Sequence, residues 1–270
     1  MTEAVTLYRR RTRAEPGAYE EDLAAELNNL AGSLVALERF ADALAPATEA
    51  VAIFRQRATS GASMLNELGS SLRNLAIIRN GLGQPEEALT AAQEAVENYR
   101  RLAIIQPETY EVEFADSLRS LGNRLSRLKR YDEALLAAEE SVAIFRRLAA
   151  ANPASQEQNL AFGLHGLATR LWDTGQRERS LAVSDEALQL QRQLAEDNRR
   201  ANQRALGIAL NSFASRLLEF SRPAEALPVS EEAAEIWQRL AGATPGTSDS
   251  QLERANAIRS RALSAVQRNA

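Results

Sequence analysis

The chain is predicted to be all-α, a solenoid of stacked helical hairpins, and three observations predict it. First, the string Glu-Ala-Val-x-x-aromatic-Arg-Arg-Leu-Ala recurs in near-constant register from Glu3, Glu49, Glu94, Glu140, Glu186 and Glu232, at spacings of 45 or 46 residues. A fixed period of this size marks units that bury their apolar faces only against their neighbours. Second, 45% of the 270 residues are hydrophobic but only 5% are aromatic, a balance rich in Ala and Leu and poor in what sheets prefer. Third, apolar residues within one period recur every three or four positions in two runs, Leu23, Leu27, Leu30, Ala31, Leu34 and then Ala43, Leu44, Ala47, Ala50, Val51, Phe54. Such spacing is that of two amphipathic helices.

The elements follow in order. Residues 2–13 match only a second helix, a partial repeat that leaves an apolar surface to be covered by a missing N-terminal portion of a larger signalling protein, a second copy of the chain or a partner. Five whole hairpins span roughly 20–60, 63–105, 109–151, 155–197 and 201–242. Within them, Gly83-Gln84-Pro85, Lys129-Arg130-Tyr131-Asp132, Gly175-Gln176-Arg177 and Ser221-Arg222-Pro223 mark the turn between the two helices, with Pro85 and Pro223 where a helix begins. Between hairpins, Pro16-Gly17, Gly61, Pro107, Pro153 and Pro245 punctuate. Pro46 and Pro228 fall inside second helices, where a lost hydrogen bond should bend or tighten a turn. Residues 249–268 align with a first helix but carry Asn256 and Arg259 in place of Leu or Phe, as a solubilising capping helix requires. One continuous domain, 1–270, is the expected organisation.

Composition narrows function. Zero cysteines exclude disulfides, thiolate catalysis and Cys-ligated zinc, and a single histidine, His165, excludes a multi-histidine metal site. A net charge of −4 argues against general nucleic-acid binding. With no apolar run near the ~18 residues needed to span a bilayer and no signal-peptide core at the N-terminus, a soluble cytoplasmic protein without membrane contact is expected. No phosphate loop, nucleophile elbow or cofactor motif is present, so neither catalysis nor a cofactor is expected.

The small residues of each period carry a family resemblance. Leu30-Ala31, Ala43, Ala47, Ala50 are followed in register by Leu75-Ala76, Ala88, Ala92, Ala95; by Leu121-Gly122, Ala134, Ala138, Ser141; by Leu167-Ala168, Ser180, Ser184, Ala187; and by Phe213-Ala214, Ala226, Ser230, Ala233. Small side chains there let two helix backbones approach closely. This pattern resembles the tetratricopeptide repeat (TPR), and the long period with strings such as Leu27-Asn28-Asn29-Leu30-Ala31 resembles the elongated variant of kinesin light chains and bacterial signalling proteins. The fourth unit departs most, with Ser180 and Ser184 for alanines and Gln191 interrupting an aromatic column of Tyr8, Phe54, Tyr99, Phe145 and Trp237. That column is read as core filling between units, with a looser joint at Gln191. The arginines beside it, Arg100, Arg101, Arg146, Arg147 and Arg192, are read as a solvated face with pairs inside each helix.

The resemblance implies a right-handed superhelix whose concave face, lined by first helices, binds protein. Of the two family positions that touch an extended peptide, the first reads Asn28, Arg73, Arg119, His165, Asn211, and the second Gly32, Ile77, Asn123, Thr169, Ser215. The first row holds donors and no carboxylate, and Arg127 lies further along the third first helix, so the groove suits an extended, acidic or C-terminal peptide. Trp172 faces inward in this register, to stack on a ligand or to pack as core. The alternative is that these are ordinary polar residues, Arg73 or Arg119 being paired to Asp116, Glu113 or Asp173. A different role, assembly or regulation within a larger signalling protein, including self-association through residues 2–13, is the second functional expectation.

Overall fold

The computed structural model describes residues 2–243 and 248–269, which places Pro245 outside the described residues. Among them lie twelve α-helices and one short 3-10 segment, with no strand. Two compact units divide at Ile144 and Phe145.

The first unit holds α1 (Thr2–Ala14), α2 (Glu20–Ala36), α3 (Phe40–Arg57), α4 (Ala62–Gly81), α5 (Pro85–Ile105), α6 (Pro107–Arg127) and most of α7 (Tyr131–Ala151). The second holds the rest of α7 with α8 (Pro153–Asp173), α9 (Arg177–Asp197), α10 (Arg199–Glu219), α11 (Pro223–Ala243) and α12 (Asp249–Asn269). Pro107 and Pro153 open α6 and α8 as first-turn residues, where their missing N–H costs nothing. Both α3 and α11 run unbroken through Pro46 and Pro228.

The hairpins close on the small residues. Ala31, Ala43, Ala47 and Ala50 are all fully buried, as are Ala76, Ala88 and Ala95 in the next repeat. A Cβ built on Gly122 of α6 would stand 3.3 Å from the Ala134 carbonyl of α7, so the backbones touch where the pattern puts its small side chains. Serine at such positions is accommodated by bonding to backbone. Ser141 Oγ donates to the Ala115 carbonyl at 2.8 Å, and Ser180 Oγ to the Ala168 carbonyl at 2.6 Å.

The aromatic column is core. Phe54, Tyr99, Phe145 and Trp237 are buried, and Tyr99 and Trp237 lie on glycines of their own hairpins, where a Cβ on Gly69 or Gly207 would come within 2.7 Å of the ring. Gln191 is also buried, 3% exposed, and its Oε1 finds no partner.

The turn inside every hairpin has one conformation. Glu38, Gly83, Lys129, Gly175 and Ser221 occupy the same place in their repeats and all have positive φ, between 54° and 78°. In each case the next residue's N–H reaches a carbonyl five residues back, as in Arg130 to Leu125 at 2.9 Å and Arg39 to Leu34 at 2.9 Å. This is the left-handed end that closes a helix by capping its last carbonyls.

Arginines beside the column pair between repeats. Arg9 pairs with Glu49, Arg55 with Glu94 (2.7 Å), Arg100 with Glu140 (3.1 Å), Arg146 with Glu186 (2.6 Å) and Arg192 with Glu232 (2.5 Å). The arginine of one string thus meets the first glutamate of the next, which corrects the expectation of intrahelical pairs. A partner 39 or 40 residues away is invisible to helical spacing but lies on the adjoining second helix once the repeats stack.

Among the described residues no helix is long and apolar enough to cross a membrane, and no group of three or more His, Cys, Asp or Glu could hold a metal ion.

Candidate functional site

Within the second unit, α8, α9, α10 and α12 line a half-open cavity of about 490 Å³. His165, Thr169 and Trp172 of α8 form one wall, Ser212, Ser215 and Arg216 of α10 another, and Arg177 and Arg254 stand at its edges. The helical spacing of three and four residues explains why His165, Thr169 and Trp172 share a face.

Arg216 is the central residue. It is 8% exposed, yet its hydrogen-bond partners are all neutral. Nε donates to Ser180 Oγ at 3.0 Å, one terminal nitrogen to Thr169 Oγ1 at 3.3 Å and the other to the Ser212 carbonyl at 3.4 Å. Burial pulls its pKa down to about 10, against the pull of Asp173 in the opposite direction. Thr169 is itself oriented by donating to the His165 carbonyl at 3.1 Å.

Arg177 lies over the face of Trp172, 3.7 Å from the ring centroid, with Arg216 at 5.9 Å from the same ring. Phe220 meets the indole edge-on at 6.4 Å. A guanidinium on an aromatic face keeps its charge while shedding water. His165 is half-buried, and burial first, then the charges of Arg216, Arg254 and Arg170, push its pKa down to about 4. It is a neutral imidazole at pH 7. Glu219 is the one carboxylate lining the cavity, and it faces Arg261 at 3.7 Å.

Other residues singled out from sequence are placed differently. His165 and Trp172 come together in this cavity, but Asn28 and Asn211 are 8% and 1% exposed. Asn28 Oδ1 accepts from Asn74 Nδ2 at 2.9 Å, and Asn211 Nδ2 reaches Gln251 at 3.5 Å, so both tie neighbouring first helices. Arg119 is paired with Asp116 of its own helix at 2.7 Å, one of the two alternatives the sequence left open. Arg127 donates to Asn80 Oδ1 at 2.7 Å, and Asn123 is exposed on α6. Arg73 lies beside the hydroxyl of Tyr99, whose pKa burial raises to about 12.

Helical spacing alone does not single out Arg216, Arg254, Arg177 or Ser212 as residues of one site. One signal was present: Arg124, Arg170 and Arg216 share a place in successive repeats, two residues beyond the small residue of the first helix. In the second repeat that place holds Ile78, which is fully buried.

Comparison with known proteins bears on this geometry. A family model described as tetratricopeptide repeat matches residues 114–152. No curated protein matches the sequence. Among solved structures, BtubC (BKLC) from P. vanneervenii is similar with a TM-score of 0.69 at 16% identity, covering 91% of this chain and 91% of that one. The nearly identical TPR-like repeats of a putative kinesin light chain from Podosopora anserina give a TM-score of 0.61 at 18% identity, covering 85% of this chain and 100% of that one. A Rap protein complexed with competence and sporulation factor gives 0.54 at 16% identity, covering 98% of this chain and 69% of that one. The shared property at these identities is the fold, an all-α helical-repeat array of the solenoid class.

Proposed function

We propose, from the premise that this chain is a tetratricopeptide-repeat protein, that it is a protein-interaction scaffold whose second unit holds an acidic segment of a partner protein. The fold supports a binding role, since helical-repeat arrays offer long surfaces with shallow cavities. The observation that carries the acidic character is the cavity at Trp172, where Arg177, Arg216 and Arg254 line one space with a single carboxylate, Glu219. Guanidinium groups there match carboxylate or phosphate oxygens, and the indole of Trp172 holds Arg177 on its face at the site. Asn123, Arg73, Arg119 and Arg127, on first helices of the first unit, are proposed as donors to an acidic segment on that unit. A similarly folded Rap protein is complexed with competence and sporulation factor, which is consistent with a binding role for the array.

Affinity capture from a host lysate with the wild-type chain and an Arg177→Ala/Arg254→Ala variant tests it. A partner captured by the wild type, released at moderate salt and lost in the variant is the expected result. Recovery of the same proteins by both chains refutes it.

A second reading, self-association, is favoured by Leu7 of α1, which is 48% exposed while its neighbour Val5 is buried in the core. Sedimentation of the wild type and of Leu7→Asp separates it: a concentration-dependent dimer lost in the variant supports it, and a monomer at all concentrations rejects it.

A further inference from the structure

We propose that the arginine-lined cavity of the second unit is a phosphoryl-binding site, so that the segment taken up there is a phosphorylated one. Only the origin of the phosphoryl group rests on the peptide-binding reading; the chemistry of the cavity stands on its own geometry.

Charge count is the first argument. Arg177, Arg216 and Arg254 bring three positive charges to the cavity against the one negative charge of Glu219, and the neutral His165 adds none. Among the described residues none of these three arginines makes an ion pair, whereas Arg9, Arg55, Arg100, Arg146 and Arg192 each pair with a glutamate. Asp173, the other acid near Arg216, pairs with Arg170 at 3.3 Å. Glu219 likewise faces an arginine outside the cavity, Arg261 at 3.7 Å, so the cavity carries an excess of at least two positive charges, which matches a phosphate monoester at neutral pH (about −1.5 to −2) better than a single carboxylate.

Cost is the second. A buried guanidinium with neutral partners alone is expensive to keep out of water. Arg216 is nonetheless held in place by Ser180, Thr169 and Ser212 on two sides. Ser180 stands where other repeats carry Ala43, Ala88, Ala134 and Ala226, so the departure from the repeat pattern supplies the acceptor that fixes this arginine. An arginine positioned in advance by neutral acceptors loses little further freedom when an anion arrives.

Donor type is the third. Ser212 and Ser215 bring hydroxyls to the same space, and a phosphoryl group offers three terminal oxygens to receive guanidinium and hydroxyl donors together. A volume of about 490 Å³ exceeds what a phosphoryl group alone fills, which leaves room for the chain that carries it.

The test uses the full chain and its lone histidine. His165 lines the cavity, so its imidazole NMR signals report occupancy. Inorganic phosphate, N-acetyl-phosphoserine amide and acetate are titrated at constant ionic strength, against the wild type and Arg254→Gln. Arg254 is exposed and unpaired, so the variant should keep the wild-type melting curve. Expected are saturable shifts with both phosphoryl compounds, binding by acetate at least about tenfold weaker, and a loss of about tenfold in phosphate affinity in Arg254→Gln. Acetate binding as well as phosphate overturns the phosphoryl assignment and leaves the acidic-peptide reading intact. Binding of inorganic phosphate without the phosphoserine compound overturns the phosphorylated segment as the source. A linear response to every anion, equal in the variant, is a general salt effect and overturns the site. Failure of the scaffold reading shows instead in the capture experiment, whatever this titration gives.

Discussion

Arg216 Nε donates to the hydroxyl of Ser180 at 3.0 Å, while that hydroxyl donates to the Ala168 carbonyl at 2.6 Å. One small side chain therefore serves two helices, relaying a backbone carbonyl of α8 to a buried cation of α10. Ser180→Ala fits the crossing, because alanine occupies that place in four other repeats, but it leaves Arg216 Nε unpaired. A cost of about 1–2 kcal/mol in denaturant unfolding is expected, with weaker anion binding. Unchanged stability would mean the hydroxyl does not hold the guanidinium.

The neutral state of His165 links stability to pH. Its folded pKa is about 4, below the value near 6.5 for an unfolded chain. Between these values the unfolded state binds the proton and the folded state does not, so stability is complete above pH 6.5 and falls as the pH drops towards 4. The loss over that window is about 3 kcal/mol. His165→Asn should remove this component of the pH dependence, which denaturant titrations at pH 7 and pH 4.5 can measure.

Gly69 and Gly207 are the seats of Tyr99 and Trp237. Adding a methyl group at either forces a buried ring out of place, so Gly69→Ala and Gly207→Ala should each cost about 1–3 kcal/mol despite better helix propensity. Gly166, with open space around its Cβ direction, is the control: Gly166→Ala should be neutral or stabilising.

Glu38, Lys129 and Ser221 adopt the left-handed conformation that Gly83 and Gly175 adopt at the same place. Replacing Lys129 by glycine removes a steric penalty of about 1 kcal/mol and adds back part of it as unfolded-chain entropy. A small rise in melting temperature is expected. A fall would show that side-chain contacts of Lys129 outweigh the strain.

How far the sequence carries depends on the range of the interaction. The aromatic column and the small residues, from Ala31 and Ala43 to Ala233, obey periods that a single helix or a single repeat displays, and these were legible. Arg100 and Glu140 pair across neighbouring repeats, and helical spacing pointed instead to partners within one helix. Arg216 was hidden for a related reason. It shares its place with Arg124 and Arg170 but also with the core residue Ile78, and only the assembled helices show that Ser180, itself visible as a break in the pattern, gives this arginine a buried acceptor. Asn28 and Asn211 were mistaken in the opposite direction, since a polar residue on a predicted inner face can be consumed by the next first helix, as by Asn74 and Gln251.

The arginine–glutamate rungs give the array a direction. Each of the four internal repeat strings presents its glutamate to one neighbour and its arginine to the other, so these repeats join head to tail with one chemistry, and the last string carries Gln238 at the arginine's place. Excising or duplicating one complete period takes away or supplies one of each charge together and rebuilds an equivalent junction at the splice. Chain length thereby becomes a quantity that can change in steps of one repeat without redesigning any contact.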